Sequence, residues 1–173
     1  QLGGAVMTMS HYAIALGSNR RSRRGGPAET LRAAIAALRR DFGIEAFSTI
    51  RGTSALGPAG PAFADAALIL AADLNPPDLL IRLKALERAF GRRRGRRWGP
   101  RVLDLDIILW SEGFYEGDGL VIPHPSFRER AFVLQPLAEI APDWRDPLTG
   151  RTVRQLAARL RARSPVDRSG PRA

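Results

Sequence analysis

Two aspartates, Asp104 and Asp106, stand two residues apart inside the apolar run 102–110, VLDLDIILW. The run predicts a strand, and residues i and i+2 of a strand point to the same face of a sheet. Removing water from a carboxylate is costly, and two neighbouring negative charges repel each other. Two interpretations follow. Either the aspartates lie on the solvent side of an edge strand, or they bind a hard divalent cation such as Mg²⁺ together with phosphates and water.

A segment rich in glycine and arginine, GRRRGRR at 91–97, leads into this strand. It predicts a loop, for which three interpretations are open. It is a solvated basic loop, a patch that binds RNA, or a hinged clamp whose guanidinium groups pair with phosphate oxygens when the loop closes. The third would join the arginines and the aspartates in one site.

His124 lies between Pro123 and Pro125, and Arg128 and Arg130 follow it. The prolines restrict the backbone and indicate a positioned side chain, which is either structural or binds phosphate. The sequence has no G-x-x-x-x-G-K-[ST] and no G-x-G-x-x-G motif. A bound nucleotide would therefore be held by metal and arginine rather than by a glycine-rich cradle at a helix N-terminus.

The composition bounds the class of protein. The 173 residues include no cysteine, which excludes disulfides and thiol catalysis, and 45% of them are hydrophobic. The formal net charge of +10 favours anionic partners: nucleotide, phosphate or nucleic acid. The sequence shows neither a membrane-spanning run nor a signal peptide, so we expect a cytoplasmic protein, and a monomer is the default expectation. We expect one domain over 9–163, with a disordered leader at 1–8 and a disordered tail at 164–173.

Hydrophobic periodicity predicts four strands and two helices in the order β-α-β-β-α-β. The strands cover 11–16, 45–51, 63–74 and 102–110, and the helices cover 28–42 and 75–90. This order is typical of a ferredoxin-like α+β fold, in which helices pack on an antiparallel sheet. A short helical stretch around 127–141 and an amphipathic helix over 152–163 form a C-terminal extension.

Five motifs occur in one order: ALGSN, ALGPAGPAF, LERAFGRRR, RWGPRVLDLDI and IPHPSFRERAFVLQPLAEIAP. Together they resemble the 6-hydroxymethyl-7,8-dihydropterin pyrophosphokinase family over residues 11–160. The resemblance implies an enzyme of folate biosynthesis that transfers pyrophosphate from ATP to the hydroxymethyl group of the pterin and releases AMP. It also implies that Asp104 and Asp106 bind two Mg²⁺ ions, and that the partners are these small molecules and not nucleic acid or a membrane.

The resemblance implies roles for further residues. Arg92 and Arg94 match arginines of a mobile loop that pair with phosphates in the reaction. The ATP-site positions are Lys84, Glu87, Trp98, Arg101, Ile107, His124 and Arg130, and the pterin-site positions are Thr53, Ala55, Leu56, Phe63, Asp65 and Phe132. Asp65 departs from the asparagine usual in the family. A carboxylate accepts hydrogen bonds from the pterin but cannot donate them, so we expect binding to be kept with an altered pH dependence.

Two other functions remain open from the residues alone. A basic ferredoxin-like module could bind RNA, although the strands lack the pair of aromatic residues expected of that kind of module. A structural domain would bind no ligand. Neither alternative explains why two acidic side chains share a face next to so many arginines.

Overall fold

The computed structural model describes residues 9–54, 62–91 and 102–163, and of residues 53, 54 and 62 it describes the backbone alone. The expected leader and tail lie outside these ranges. In chain order the elements are β1 (Ser10–Ser18), α1 (Pro27–Asp41), β2 (Gly43–Phe47), β3 (Arg51–Ser54), β4 (Ala62–Ala72), α2 (Pro76–Gly91), β5 (Asp104–Trp110), β6 (Tyr115–Gly117), β7 (Leu120–Ile122), a 3-10 turn (Phe127–Glu129), α3 (Ala131–Ile140) and α4 (Val153–Arg163).

The main sheet has five strands in the order β2-β4-β1-β5, with β3 also paired to β4. Each of these pairings is antiparallel. Helix α1 therefore joins β1 to β2 across β4, and α2 joins β4 to β5 across β1. These are two split βαβ units, so the predicted ferredoxin-like α+β fold is confirmed.

One strand of the predicted element pattern was wrong in detail. The strand expected over 45–51 is two strands, β2 and β3, because residues 48–50 do not belong to a strand. Ser48, the first of these residues, bonds to β4. Its backbone N–H donates to Ala67 O, and its hydroxyl accepts from the N–H of Ala67. The helical stretch around 127–141 is a 3-10 turn followed by α3, and the short hairpin β6–β7 was not predicted.

Helices cover both faces of the sheet, and each face has its own core cluster. On one face α1 and α2 enclose a cluster that includes Leu16, Leu83 and Leu105. On the other face α3 and α4 enclose a cluster that includes Ala15 and Leu137. Within the described ranges, no helix combines the length and the apolar character needed to cross a membrane.

A β-bulge in β5 decides which face each side chain meets. Ile14 pairs with Ile107 and Ala13 with Leu109, so Ile108 has no partner in β1. Before the bulge, Leu105 and Ile107 lie in the α1–α2 core. Asp104 and Asp106 alternate with them and therefore face the α3–α4 side.

Candidate active site

The paired aspartates lie on the outermost strand of the sheet, beside small residues. Asp104 pairs with Gly17 and Asp106 with Ala15 across the β1–β5 ladder. Asp104 is exposed and Asp106 half-buried. This arrangement fits a hard divalent cation, since Mg²⁺ takes one or two carboxylates and completes its shell with water and phosphate. Among the described residues there is no group of three or more His, Cys, Asp or Glu that could hold a metal.

Helix α2 fixes the backbone between the two aspartates. Leu105 N–H donates to Glu87 Oε1 at 2.9 Å, and the Glu87 side chain is only 9% exposed. Glu87 Oε2 also accepts from Lys84 Nζ at 3.4 Å. Because no described strand pairs with the outer side of β5, this carboxylate satisfies a backbone donor that has no partner in a described strand. Glu87 thus holds the strand at the residue that separates Asp104 from Asp106.

The segment that follows β7 brings His124 next to β5. Its backbone N–H donates to the carbonyl of Ile108, the residue at the bulge, at 3.0 Å. Ser126 N–H donates to His124 Nδ1 at 3.2 Å. Since Nδ1 accepts, the neutral imidazole carries its proton on Nε2 and can donate it to an anion.

Electrostatic interactions connect His124 with two other predicted site residues. Burial lowers the pKa of His124; the Asp106 carboxylate raises it, and the Arg130 guanidinium lowers it further, with a net shift below the ordinary value. Asp106, His124 and Arg130 therefore belong to one charged cluster. His124 and Arg130 can both donate hydrogen bonds to phosphate oxygens.

Arg128 does not join this cluster. Its Nε and Nη2 donate to the two oxygens of Asp146 at 2.6 and 2.7 Å, and Asp146 is fully buried. The pair connects the 3-10 turn to the segment before α4. Sequence reasoning missed it, because Asp146 lies 18 residues away and its only local signal is the turn-forming string DPLTG.

Asp65 lies in line with Asp104 across the sheet. Gly17 pairs with Asp65 on β4 and with Asp104 on β5, so the three residues form one row on one face. A Cβ built at Gly17 would lie 3.5 Å from Asp65 Oδ1, so the carboxylate extends over the glycine. With strands about 4.8 Å apart, the Asp65 and Asp104 backbones are roughly 10 Å apart. Burial raises the pKa of Asp65.

Two phenylalanines on this side of the sheet are exposed. Phe63, on β4 two residues before Asp65, is 42% exposed, and Phe132, in the first turn of α3, is 53% exposed. The guanidinium of Arg130 lies 5.8 Å from the centroid of the Phe132 ring. Exposed aromatic faces are suited to stacking on a flat heterocycle.

The other predicted residues lie as follows. Thr53 is opposite Phe63 in the β3–β4 pairing. The side chain of Ile107 is buried in the α1–α2 core, on the face opposite Asp104. The remaining predicted residues lie outside the described ranges: Ala55, Leu56, Arg92, Arg94, Trp98 and Arg101.

A contact between β3 and α3 beside Asp65 was not predicted. Arg51 pairs with Asp65 on the neighbouring strand and contacts Glu139 of α3 at 3.5 Å. Glu139 also accepts from Thr49 N–H and Oγ1 at 2.9 and 3.0 Å. The start of β3 is thereby fixed to α3, the helix that carries Phe132. No local pattern connects residues 88 to 90 positions apart, so this contact has no signal in the sequence.

The fold and the residues at its edge define a ferredoxin-like α+β protein with a polar site on one sheet face. Its fold is similar to that of a solved structure. The chain superposes on Plasmodium falciparum HPPK-DHPS with a TM-score of 0.71, covering 91% of this chain and 45% of that one, at 13% identity. This chain thus spans less than half of that solved chain.

The sequence comparisons identify the family. The sequence model described as 7,8-dihydro-6-hydroxymethylpterin-pyrophosphokinase matches residues 13–142, and the chain belongs to this family of pyrophosphokinases. Two relatives carry the name 2-amino-4-hydroxy-6-hydroxymethyldihydropteridine pyrophosphokinase. The Synechocystis protein is 46% identical over 130 residues, covering 74% of this chain and 67% of that protein. The Pseudomonas aeruginosa protein is 43% identical over 148 residues, covering 84% and 88%.

Proposed function

We propose that this chain transfers the pyrophosphoryl group of ATP to the 6-hydroxymethyl group of 7,8-dihydropterin in folate biosynthesis. The pterin hydroxyl oxygen forms a bond to the β-phosphorus. The bond between that phosphorus and the oxygen bridging to the α-phosphorus breaks, the hydroxyl proton is released, and AMP leaves. Family membership and the shared row of Asp65 and Asp104 support this reaction.

The shared row is the observation that carries the proposal. A pterin held at Asp65 and phosphates held at Asp104 and Asp106 lie on the same sheet face, roughly 10 Å apart by backbone spacing. That separation leaves room for a pterin ring and its hydroxymethyl arm to reach the phosphate chain. Phosphoryl transfer depends on such positioning and on neutralising charge.

Asp104 and Asp106 are the ligands proposed for two Mg²⁺ ions. When bound, the ions neutralise and orient the phosphates. His124 donates from Nε2 to a phosphate oxygen, and Arg130 adds a cationic contact beside it. By the family resemblance, Arg92, Arg94 and Arg101 contribute further guanidinium groups to the phosphates.

The nucleotide base lies along the outer edge of β5. Leu105 N–H faces that edge, since it donates to Glu87, and the backbone of Ile107 faces the same way two residues later. Ile107 thus contributes its backbone rather than its buried side chain. Lys84 and Glu87 lie on this side, and the family resemblance assigns Trp98 to the ATP site as well.

The pterin lies on the Asp65 side. The Asp65 carboxylate accepts from the pterin amino group and ring N–H, while Phe63 and Phe132 stack on the ring faces. The family resemblance assigns Thr53, Ala55 and Leu56 to the pterin site as well. We propose a monomer acting on these small molecules, which sedimentation of the purified chain checks.

An assay of AMP release tests the reaction. AMP should form from ATP only when Mg²⁺ and 6-hydroxymethyl-7,8-dihydropterin are both present. Asp104→Asn and Asp106→Asn should each lower the rate by at least about 100-fold while the protein stays folded. Asp143→Asn, at an exposed position, is the matched control and should keep the rate of the wild type. AMP release without the pterin, or full turnover in both aspartate variants, would overturn the proposal.

A further inference from the structure

The connection between β1 and α1 carries four arginines, at 20, 21, 23 and 24, which the proposed reaction does not use. The connection is a defined turn. Ser22 and Gly25 exchange two backbone hydrogen bonds of 2.9 and 3.1 Å, and Gly25 has a φ of 111°. Arg24 N–H donates to Ser22 Oγ at 3.1 Å. The backbone of Arg24 is therefore held in a fixed geometry.

The side chain of Arg24 lies over the ring of Phe90, in the last turn of α2. The guanidinium carbon is 3.9 Å from the ring centroid, and the other arginine–phenylalanine contacts among the described residues measure 4.7 to 5.8 Å. Phe90 is only 9% exposed and belongs to the same core cluster as Leu103 and Leu105. Arg24 itself is exposed, so water is excluded from the ring side of the contact only, and the contact belongs to the exposed-site range of cation–π interactions.

The last turn of α2 also contacts β5 beside the aspartates. Glu87, one turn before Phe90, accepts the Leu105 N–H that lies between Asp104 and Asp106. A Cβ built at Gly91 would lie 3.9 Å from the backbone N of Val102. A shift of this helical turn would therefore move the backbone that carries both aspartates.

We propose that Arg24 is a positioning residue for the paired aspartates. By holding Phe90, it fixes the last turn of α2, and Glu87 transmits that position to Leu105. The effect runs through contacts of described residues and needs no contact between Arg24 and the substrates. The proposal rests on the proposed function in assigning Asp104 and Asp106 to magnesium-bound ATP.

The test compares Arg24→Met, Arg24→Lys and a control, Arg39→Met. Methionine keeps an unbranched apolar side chain but removes the charge, while lysine retains a cation that can lie over the ring. Arg39 lies 4.9 Å from the ring centroid of Phe47 and makes the same kind of contact away from α2 and β5. The assay measures calorimetric binding of a non-hydrolysable ATP analogue over a series of Mg²⁺ concentrations, together with rates of AMP release.

Arg24→Met should raise the Mg²⁺ concentration for half-maximal analogue binding by about fivefold, the upper end of what loss of a cation–π contact to an exposed arginine gives. Saturating Mg²⁺ should restore kcat to near the wild-type value. Arg24→Lys should recover most of the loss, and Arg39→Met should match the wild type.

Two outcomes separate this proposal from the proposed function. A lower melting temperature in Arg24→Met with an unchanged Mg²⁺ dependence would make the contact merely structural and overturn the inference. If the wild type binds the analogue with Mg²⁺ but releases no AMP with the pterin, the proposed function fails. A fivefold shift in Mg²⁺ dependence would in that case still support the positioning role.

Discussion

Replacing Arg128 with methionine should strongly destabilise the fold, because it leaves the carboxylate of Asp146 buried without its cation. Asp146 is fully buried and accepts from Arg128, from Thr149 Oγ1 at 2.7 Å and from Leu148 N–H at 3.0 Å. Removing one partner of a buried ion pair costs about 3–5 kcal/mol. For a chain of this size, each kcal/mol lowers the melting temperature by about 2–4 °C, so the expected decrease is roughly 6–20 °C.

The pH dependence provides a second, independent signature. Burial by itself would raise the pKa of Asp146, but hydrogen bonds from Arg128 and Thr149 outweigh it and lower the pKa below the ordinary value. In the wild type this carboxylate therefore stabilises the fold above the pKa of an unfolded aspartate, and the contribution is lost as pH falls through the lowered folded pKa. In Arg128→Met burial dominates, the sign reverses, and protonation at acid pH relieves part of the defect.

Urea unfolding at pH 7 and pH 4.5 measures both effects, and Arg154→Met is the matched control. Arg154 contacts Asp143 at 3.4 Å, but the two side chains are 65% and 80% exposed, so we expect a loss below about 1 kcal/mol. A loss of stability in Arg128→Met no larger than in the control would contradict a stabilising buried ion pair. A loss of the same size at both pH values would contradict the reversal of the Asp146 pKa shift.

Three further predictions concern the site. Burial raises the pKa of Asp65, so pterin affinity measured by calorimetry should fall as pH drops through that raised pKa. Asp65→Asn should abolish this pH dependence. The same pH dependence in the variant and the wild type would contradict the role of the carboxylate. Glu87→Gln keeps an acceptor for Leu105 N–H and should retain Mg²⁺-dependent binding of the ATP analogue. Glu87→Ala should weaken that binding by about tenfold. If both variants bind the analogue equally well, the hydrogen bond does not position the aspartates. Phe132→Ala should weaken pterin binding by about tenfold and leave analogue binding unchanged, whereas an equal loss for both ligands would contradict stacking on the pterin.

Local patterns were sufficient for much of the fold. The order of strands and helices follows from hydrophobic periodicity, and that order is typical of folds with two split βαβ units. The placement of Asp104 and Asp106 on one face also follows, because side chains alternate along any strand. Their pairing partners Gly17 and Ala15 could not be predicted, because strand register depends on pairing between distant segments.

The different contacts of Arg128 and Arg130 near the site also could not be predicted from the sequence. Arg128 and Arg130 stand two positions apart and looked equally suited to phosphate. In the structure Arg128 forms an ion pair with Asp146, whereas Arg130 is close enough to His124 to lower its pKa. The difference depends on which distant charge each side chain meets, and the sequence around these arginines carries no signal for it.

Residue identity and spacing along the chain were sufficient for the family, the element order and the side chains available for chemistry. Tertiary structure decided what those side chains adjoin. It set Gly17 between Asp65 and Asp104, brought Ile108 at the bulge to the backbone of His124, and placed Arg24 over Phe90. Each of these contacts joins segments far apart in sequence, so each exists only once the sheet register and the packing of α2 are in place.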